Sequence, residues 1–238
     1  MKTIILAGGL GTRLQGVLGK APKPMAPIGG IPFLEYLLLR FKAQGFADFI
    51  LSIGHGGENI RTYFETGSRL GVSIQYTIEK ELLGTGGAVK LAEPLIDGEE
   101  FLVANGDTYF EVDLNSMFAF HRGTGARVTM ALAHREDTAR YGRVEFDDKN
   151  RILSFAEKSA DGGPGYINGG VYIFDKEVFN CIPDGRVCSL EQEVLPLLIG
   201  NGLNGFSVNG YFIDIGIPED YAMAQHELPA RRFHDHSS

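Results

Sequence analysis

Residues 4–7 (Ile-Ile-Leu-Ala) run straight into Gly8, Gly9 and Gly11, and this junction limits what the chain can fold into. Four apolar residues in a row have the length of a buried strand. Glycines directly after them let a ligand approach the backbone closely. Successive exposed N–H groups in such a turn form a nest for an anion. Arg13 adds a planar guanidinium suited to two phosphate oxygens. Lys23 stands between Pro22 and Pro24, and the prolines stiffen the backbone that carries it. The pattern reads as a polyphosphate clamp. It contains no G-x-x-x-x-G-K-[ST], and Gly9-x-Gly11 is followed by Leu14 where a dinucleotide fingerprint needs further glycine spacing, so both familiar phosphate loops are excluded. A glycine-rich turn alone is equally a structural turn; the arginine and the proline-flanked lysine decide for phosphate.

Beyond the loop, Phe33, Leu34, Leu37, Leu38 and Phe41 share one face of a helix starting near Ile31 and stopping at Gly45. Residues 49–53 read as a strand, Ile60, Tyr63 and Phe64 as a short helix, 72–78 as a strand, 84–91 as a glycine turn entering a helix, and 101–104 as a strand closing on Asn105-Gly106-Asp107. Such alternation implies an α/β fold, with a mostly parallel sheet and helices on both faces. Ligands in these sheets bind beyond the carboxyl ends of the strands, where the glycine loop and the Asn-Gly-Asp turn both fall. The later chain is richer in strand signals, at 127–133, 143–146, 152–156, 170–174 and 206–215, with an apolar-faced helix over 190–199 interrupted at Pro196. No linker is evident. One domain is expected over 1–238, with a nucleotide-binding half at 1–125, an acceptor-binding half at 126–225 and a polar tail at 226–238.

Acidic residues outnumber basic ones, 30 to 22, for a net charge of −8, which disfavours nonspecific nucleic-acid binding. An anionic substrate must therefore be met by local cations: Arg13, Lys23 and Lys158. Two cysteines, Cys181 and Cys188, are too few for a disulfide scaffold and read as reduced thiols. No apolar run is long enough to span a membrane, and Met1-Lys2 leads directly into the first strand, so a cytoplasmic enzyme is expected. His55 and His121 have no obvious partner and read as structural, and His234-Asp235-His236 as a solvated tail. A homo-oligomer stays open.

GGLGTRL followed by Pro22-Lys23-Pro24 resembles the signature of the sugar-phosphate nucleotidyltransferases, and the resemblance runs from residue 2 to about 225. KPMAPI, FLEYLL and NGDTYF are similar to members that guanylylate a heptose 1-phosphate. The resemblance implies a Rossmann-like mixed sheet of the nucleotide-diphospho-sugar transferase type. It implies transfer of a nucleotidyl group from a nucleoside triphosphate to a sugar 1-phosphate, releasing pyrophosphate. It pairs Asp107 with Asp214, each at the end of an apolar strand, as ligands of Mg²⁺; either alone would read as a turn aspartate. Arg13, Lys23 and Asp107 become the catalytic residues. Leu6, Ala7, Gly8, Gly9, Gly11, Thr12, Arg13, Lys23, Glu79, Gly84, Thr85, Asn105 and Gly106 become the nucleotide site. Leu83 to Gly87 resembles the family's LGTAG base loop, with Gly86 where many members have alanine. Tyr141, Gly142, Glu157, Lys158, Asn168 and Gly169 become the sugar-phosphate site. Glu79, acceptor-only when ionised, suits the adjacent N1–H and N2–H donors of guanine, so GTP is favoured; an exposed strand-edge carboxylate is its alternative reading. Mannose 1-phosphate as acceptor, a uridylyltransferase, and a catalytically silent nucleotide-sugar sensor all stay open at this point.

Overall fold

A computed structural model describes residues 1–9, 21–54, 56–155 and 162–231. Strand β1 (Lys2–Leu6) lies inside a seven-stranded sheet and packs on both faces. Ile4 and Ile5 are each fully buried, yet they belong to opposite cores. That is why the strand reads as an unbroken apolar run and not as an alternation. The neighbouring strands repeat the pattern: β4 (Asp48–Ile53) sends Phe49 and Leu51 to one core and Ile50 to the other, and β6 (Glu100–Asn105) does the same with Leu102 against Phe101 and Val103.

Two two-residue strands, β2 (Pro27–Ile28) and β3 (Ile31–Pro32), form a small hairpin ahead of helix α1 (Phe33–Ala43). The order across the main sheet is β12 (Leu203–Val208), β8 (Val128–Arg135), β11 (Gly165–Asp175), β6, β1, β4 and β5 (Ser73–Ile78). Only β11 runs against its neighbours. One core lies beneath α1, α2 (Gly57–Phe64), α4 (Leu114–Thr124) and α5 (Pro218–Arg231), through residues such as Leu37, Ile60, Phe118 and Leu228. The opposite core is covered by α3 (Gly84–Leu91) and the segment 176–198, through Val89, Phe179, Leu190 and Leu195. The expected mixed, mostly parallel sheet with helices on both faces is the observed one. No helix among the described residues is long and apolar enough to cross a membrane.

The structure departs from expectation in four places. Residues 206–215 are not one strand: β12 ends at Val208, and β13 (Phe212–Asp214) leaves the main sheet to pair antiparallel with β7 (Thr108–Phe110). The strand expected over 170–174 begins earlier, at Gly165, so that Asn168 sits inside β11, where the pairing with β8 slips between Asn168 and Tyr172. The 190–199 helix is a π-turn over Leu190–Val194 followed by one short turn, Leu195–Leu197, in which Pro196 lies at the start. Finally, α4 and α5 had no counterpart in the sequence reading. The remaining strands, β9 (Val144–Phe146) and β10 (Ile152–Phe155), make a separate ribbon beside β11.

Candidate active site

The strand order reverses at β1. Its neighbour on one side is β4, which follows it in sequence, and on the other β6, which comes two crossovers later. Crevices form at such points, beyond the carboxyl ends of the strands. Here Gly8 and Gly9 leave β1 while Gly106 and Asp107 leave β6, with Gly106 N–H donating to the Leu6 carbonyl at 3.0 Å. A cavity of about 300 Å³ opens at this place. Its walls include Leu6, Ala7, Gly8, Gly9, Lys23, Glu79, Gly84, Thr85, Asn105 and Asp107. A Cβ on Gly8 would fall 2.4 Å from Glu79 Oε1, so a larger residue there would displace that carboxylate. Glu79 is 9% exposed, and its Oε2 accepts from the Leu83 N–H at 3.0 Å. Burial pushes its carboxyl upward, against that hydrogen bond.

A second cavity of about 510 Å³ adjoins the first, and Asn105 borders both. Thr108, Arg140, Tyr141, Gly142, Asn168, Glu191 and Asp214 line it. The departure of β13 from the main sheet builds the junction between the two. Pairing of Asp214 with Thr108, and of the Ile215 N–H with the Asp107 carbonyl at 3.0 Å, sets the two aspartates side by side. Asp214 is pushed up to about 6, first by burial and then by the Asp107 charge, with Lys23 opposing. Lys23 Nζ lies 3.0 Å from Asp107 Oδ2, and the short 3-10 turn Lys23–Met25 between Pro22 and Ala26 fixes where that side chain starts. Two hard oxygen donors and no histidine or cysteine among the described lining suit a divalent cation of the Mg²⁺ kind.

The structure thus brings together Lys23, Asp107, Asp214, Glu79, Asn105, Tyr141, Gly142 and Asn168. Gly106 and Gly169 border neither cavity among the described residues; a Cβ on Gly169 would meet the Phe110 ring at 2.5 Å, so that glycine serves packing. Gly11, Thr12, Arg13, Glu157 and Lys158 lie outside the described residues, as do His55 and the 234–236 triplet. Three polar lining residues were missed: Thr108, Arg140 and Glu191. Arg140 directly precedes Tyr141-Gly142, and Glu191 lies in a π-turn, a feature frequent at functional sites. His121 is not partnerless: it is 1% exposed, with Nδ1 2.8 Å from Thr129 Oγ1 and Nε2 3.1 Å from Asp175 Oδ1.

Among the described residues one acid–histidine cluster could hold a metal, Glu100 with His121 and Asp175, its ligand atoms within 4.8 Å of one another. It sits at the amino end of β6, opposite the cavities, and Arg122 already occupies both Glu100 oxygens. It is distinct from the Asp107 and Asp214 pair between the cavities.

Comparison with known proteins agrees with this geometry. The chain is 46% identical over 230 residues to a D-glycero-alpha-D-manno-heptose 1-phosphate guanylyltransferase of Aneurinibacillus thermoaerophilus, covering 96% of this chain and 98% of the relative. It is 40% identical to the enzyme of the same name from Campylobacter jejuni, covering 93% and 97%. Crystal structures of HddC from Yersinia pseudotuberculosis superpose with TM-scores of 0.86 for the protein and 0.84 for its complex with GMP-PN, at 37% and 36% identity, each covering 95% of this chain and 98% of that one. The nucleotidyl transferase family profile matches residues 2–231. With its glycine turn at the sheet's switch point and its aspartate pair between two cavities, the chain belongs to the nucleotidyl transferase family.

Proposed function

We propose that the chain transfers a guanylyl group from GTP to D-glycero-α-D-manno-heptose 1-phosphate, releasing pyrophosphate. The observation that carries this reading is the junction itself: a glycine-walled cavity and a polar cavity meet at Asn105, with Asp107 and Asp214 side by side. The guanylyltransferases at 46% and 40% identity, matched over nearly their whole length, support the sugar and the base. The guanine nucleotide named in the HddC complex supports the base further.

An oxygen of the sugar 1-phosphate attacks the α-phosphorus of GTP, the bond to the bridging oxygen breaks, and its electrons leave with pyrophosphate. The attacking oxygen is already anionic, so no base has to remove a proton. Catalysis is positioning and charge neutralisation. Lys23, together with Arg13, grips the departing pyrophosphate. Asp107 and Asp214 hold Mg²⁺, which when bound supplies neutralising charge to the phosphates. Glu79 accepts from guanine: a carboxylate offers about four lone-pair sites, and Leu83 takes one. Tyr141, Gly142 and Asn168 form the wall for the sugar, and Glu157 and Lys158 take its hydroxyls and phosphate. Leu6, Ala7, Gly8 and Gly9 cradle the triphosphate, and Gly11 and Thr12 are assigned to the same site by the family resemblance.

The test is pyrophosphate release with four nucleoside triphosphates against heptose, mannose and glucose 1-phosphates. GTP with the heptose should give the highest kcat/KM. A higher value for mannose 1-phosphate would move the acceptor; a higher value for UTP would remove the guanylyl assignment.

A further inference from the structure

Thr85 borders the nucleotide cavity, yet its hydroxyl is turned to the other half of the protein. It donates to Glu191 Oε2 at 2.7 Å and accepts from the Leu190 N–H at 2.8 Å. Its single proton is therefore committed, and one of its two lone pairs as well. The same Glu191 oxygen accepts from the Ser189 hydroxyl at 3.1 Å. The carboxylate also faces the hydroxyl of Tyr172, a fully buried residue. That hydroxyl accepts from Asn168 Nδ2 at 2.7 Å, leaving its own proton for Glu191. Asn168 Oδ1 in turn accepts from the Gly170 N–H at 2.9 Å, where β11 slips against β8. Backbone bonds run alongside this chain of side chains: Cys188 N–H donates to the Leu83 carbonyl at 2.8 Å, and Gly86 N–H to the Cys188 carbonyl at 2.8 Å. The loop 83–87 is thus fastened to the segment 188–191, which carries one wall of the second cavity.

We propose that Thr85 is a positioning residue for the acceptor and not a ligand of the nucleotide: it fixes the Glu191 carboxylate, and through Tyr172 the amide of Asn168, on the wall of the second cavity. The inference rests on reading that cavity as the sugar-phosphate site. Both Glu191 and Asn168 border it, and a preorganised carboxylate and amide orient a polyhydroxylated ring better than mobile ones do. Without the threonine hydroxyl, Glu191 loses its shorter hydroxyl contact, and Leu190 loses its acceptor.

The experiment is steady-state kinetics with GTP and sugar 1-phosphate both varied, for wild type, Thr85→Val and Thr85→Ser, alongside calorimetric titration of each protein with GTP alone. Thr85→Val should raise the acceptor KM about tenfold, the size expected for a hydrogen bond to a charged group, while the GTP Kd stays within about twofold. Thr85→Ser, which keeps the hydroxyl, should restore the acceptor KM. If valine upsets folding, Thr85→Ala serves for the same comparison. In the double variant with Asn168→Ala, the loss in acceptor KM should be smaller than the product of the single losses, because both act on one chain of contacts. A weakened GTP Kd with an unchanged acceptor KM would overturn the proposal, and so would losses that multiply independently. Failure of the wild type to release pyrophosphate would overturn the proposed function instead, and calorimetric titration with the sugar phosphates would still read the Thr85 contact.

Discussion

Asp214 is the residue that pays most for the site's architecture. Its carboxyl is held near 6 against an ordinary 3.8, because it is buried and faces Asp107. A raised folded pKa means that the protonated form is the one the fold prefers. The corresponding stability is complete below about pH 3.8 and is lost as the pH rises through 6. In metal-free protein, Asp214→Asn should therefore raise stability at pH 7.5 by as much as about 2–3 kcal/mol, and the gain should shrink toward nothing near pH 4. Urea melts in EDTA at the two pH values check this; equal effects at both would show that Asp214 is not under electrostatic strain. Gly86 gives a second residue-level expectation. The sequence showed glycine where many family members have alanine, and the structure supplies the reason: a Cβ there would lie 3.0 Å from Cys188 Sγ and 3.1 Å from the Cys188 carbonyl. Gly86→Ala should cost about 1 kcal/mol by overpacking, and the cost should be smaller in a Cys188→Ala background. The same cost in both backgrounds would separate the two residues.

At the scale of elements, α4 is a helix that packing and a cap define together. Leu114, Met117, Phe118 and His121 make its buried face. Asp113 caps it, Oδ1 accepting from the Ser116 N–H at 3.0 Å and Oδ2 from the Ser116 hydroxyl at 2.7 Å. Asp113→Ala should lower stability by about 1 kcal/mol with kcat/KM unchanged, since Asp113 is exposed and borders neither cavity; a loss of activity at full stability would contradict this. The helix was not legible because its buried face includes a histidine whose partners, Thr129 and Asp175, come from other elements. Helix α5 was hidden for a related reason: its buried residues are Tyr221, Ala224 and Leu228, a face too mixed to announce itself. The 84–91 helix was legible because its glycine-rich start and apolar residues are local signals. Asn209-Gly210, a turn dipeptide, marks the break after Val208, but nothing local tells that Phe212–Asp214 pairs with β7 instead of continuing in the main sheet. That break places Asp214, so the closeness of Asp214 to Asp107 was readable from family resemblance and not from residue physics.

Across the whole molecule, the main sheet joins the two halves that the sequence distinguishes. β11 and β8 come from the second half, and β11 pairs directly with β6 of the first. A chain with a net charge of −8 must concentrate positive charge where phosphates enter, and Lys23 and Arg140 are the cations of the described cavity walls. The central proposal is that the two cavities take different substrates and that Asp107 and Asp214, beside the shared Asn105, serve both. Its most direct measurement is ³¹P NMR of GTP and D-glycero-α-D-manno-heptose 1-phosphate with Mg²⁺, using wild type, Asp107→Asn and Asp214→Asn. Wild type should form GDP-heptose and pyrophosphate in equal amounts, and each folded variant should slow by on the order of 10²-fold or more, as when a preorganised charge-stabilising group is removed. Near-normal turnover by either variant, or hydrolysis of GTP without a GDP-sugar, would contradict the account.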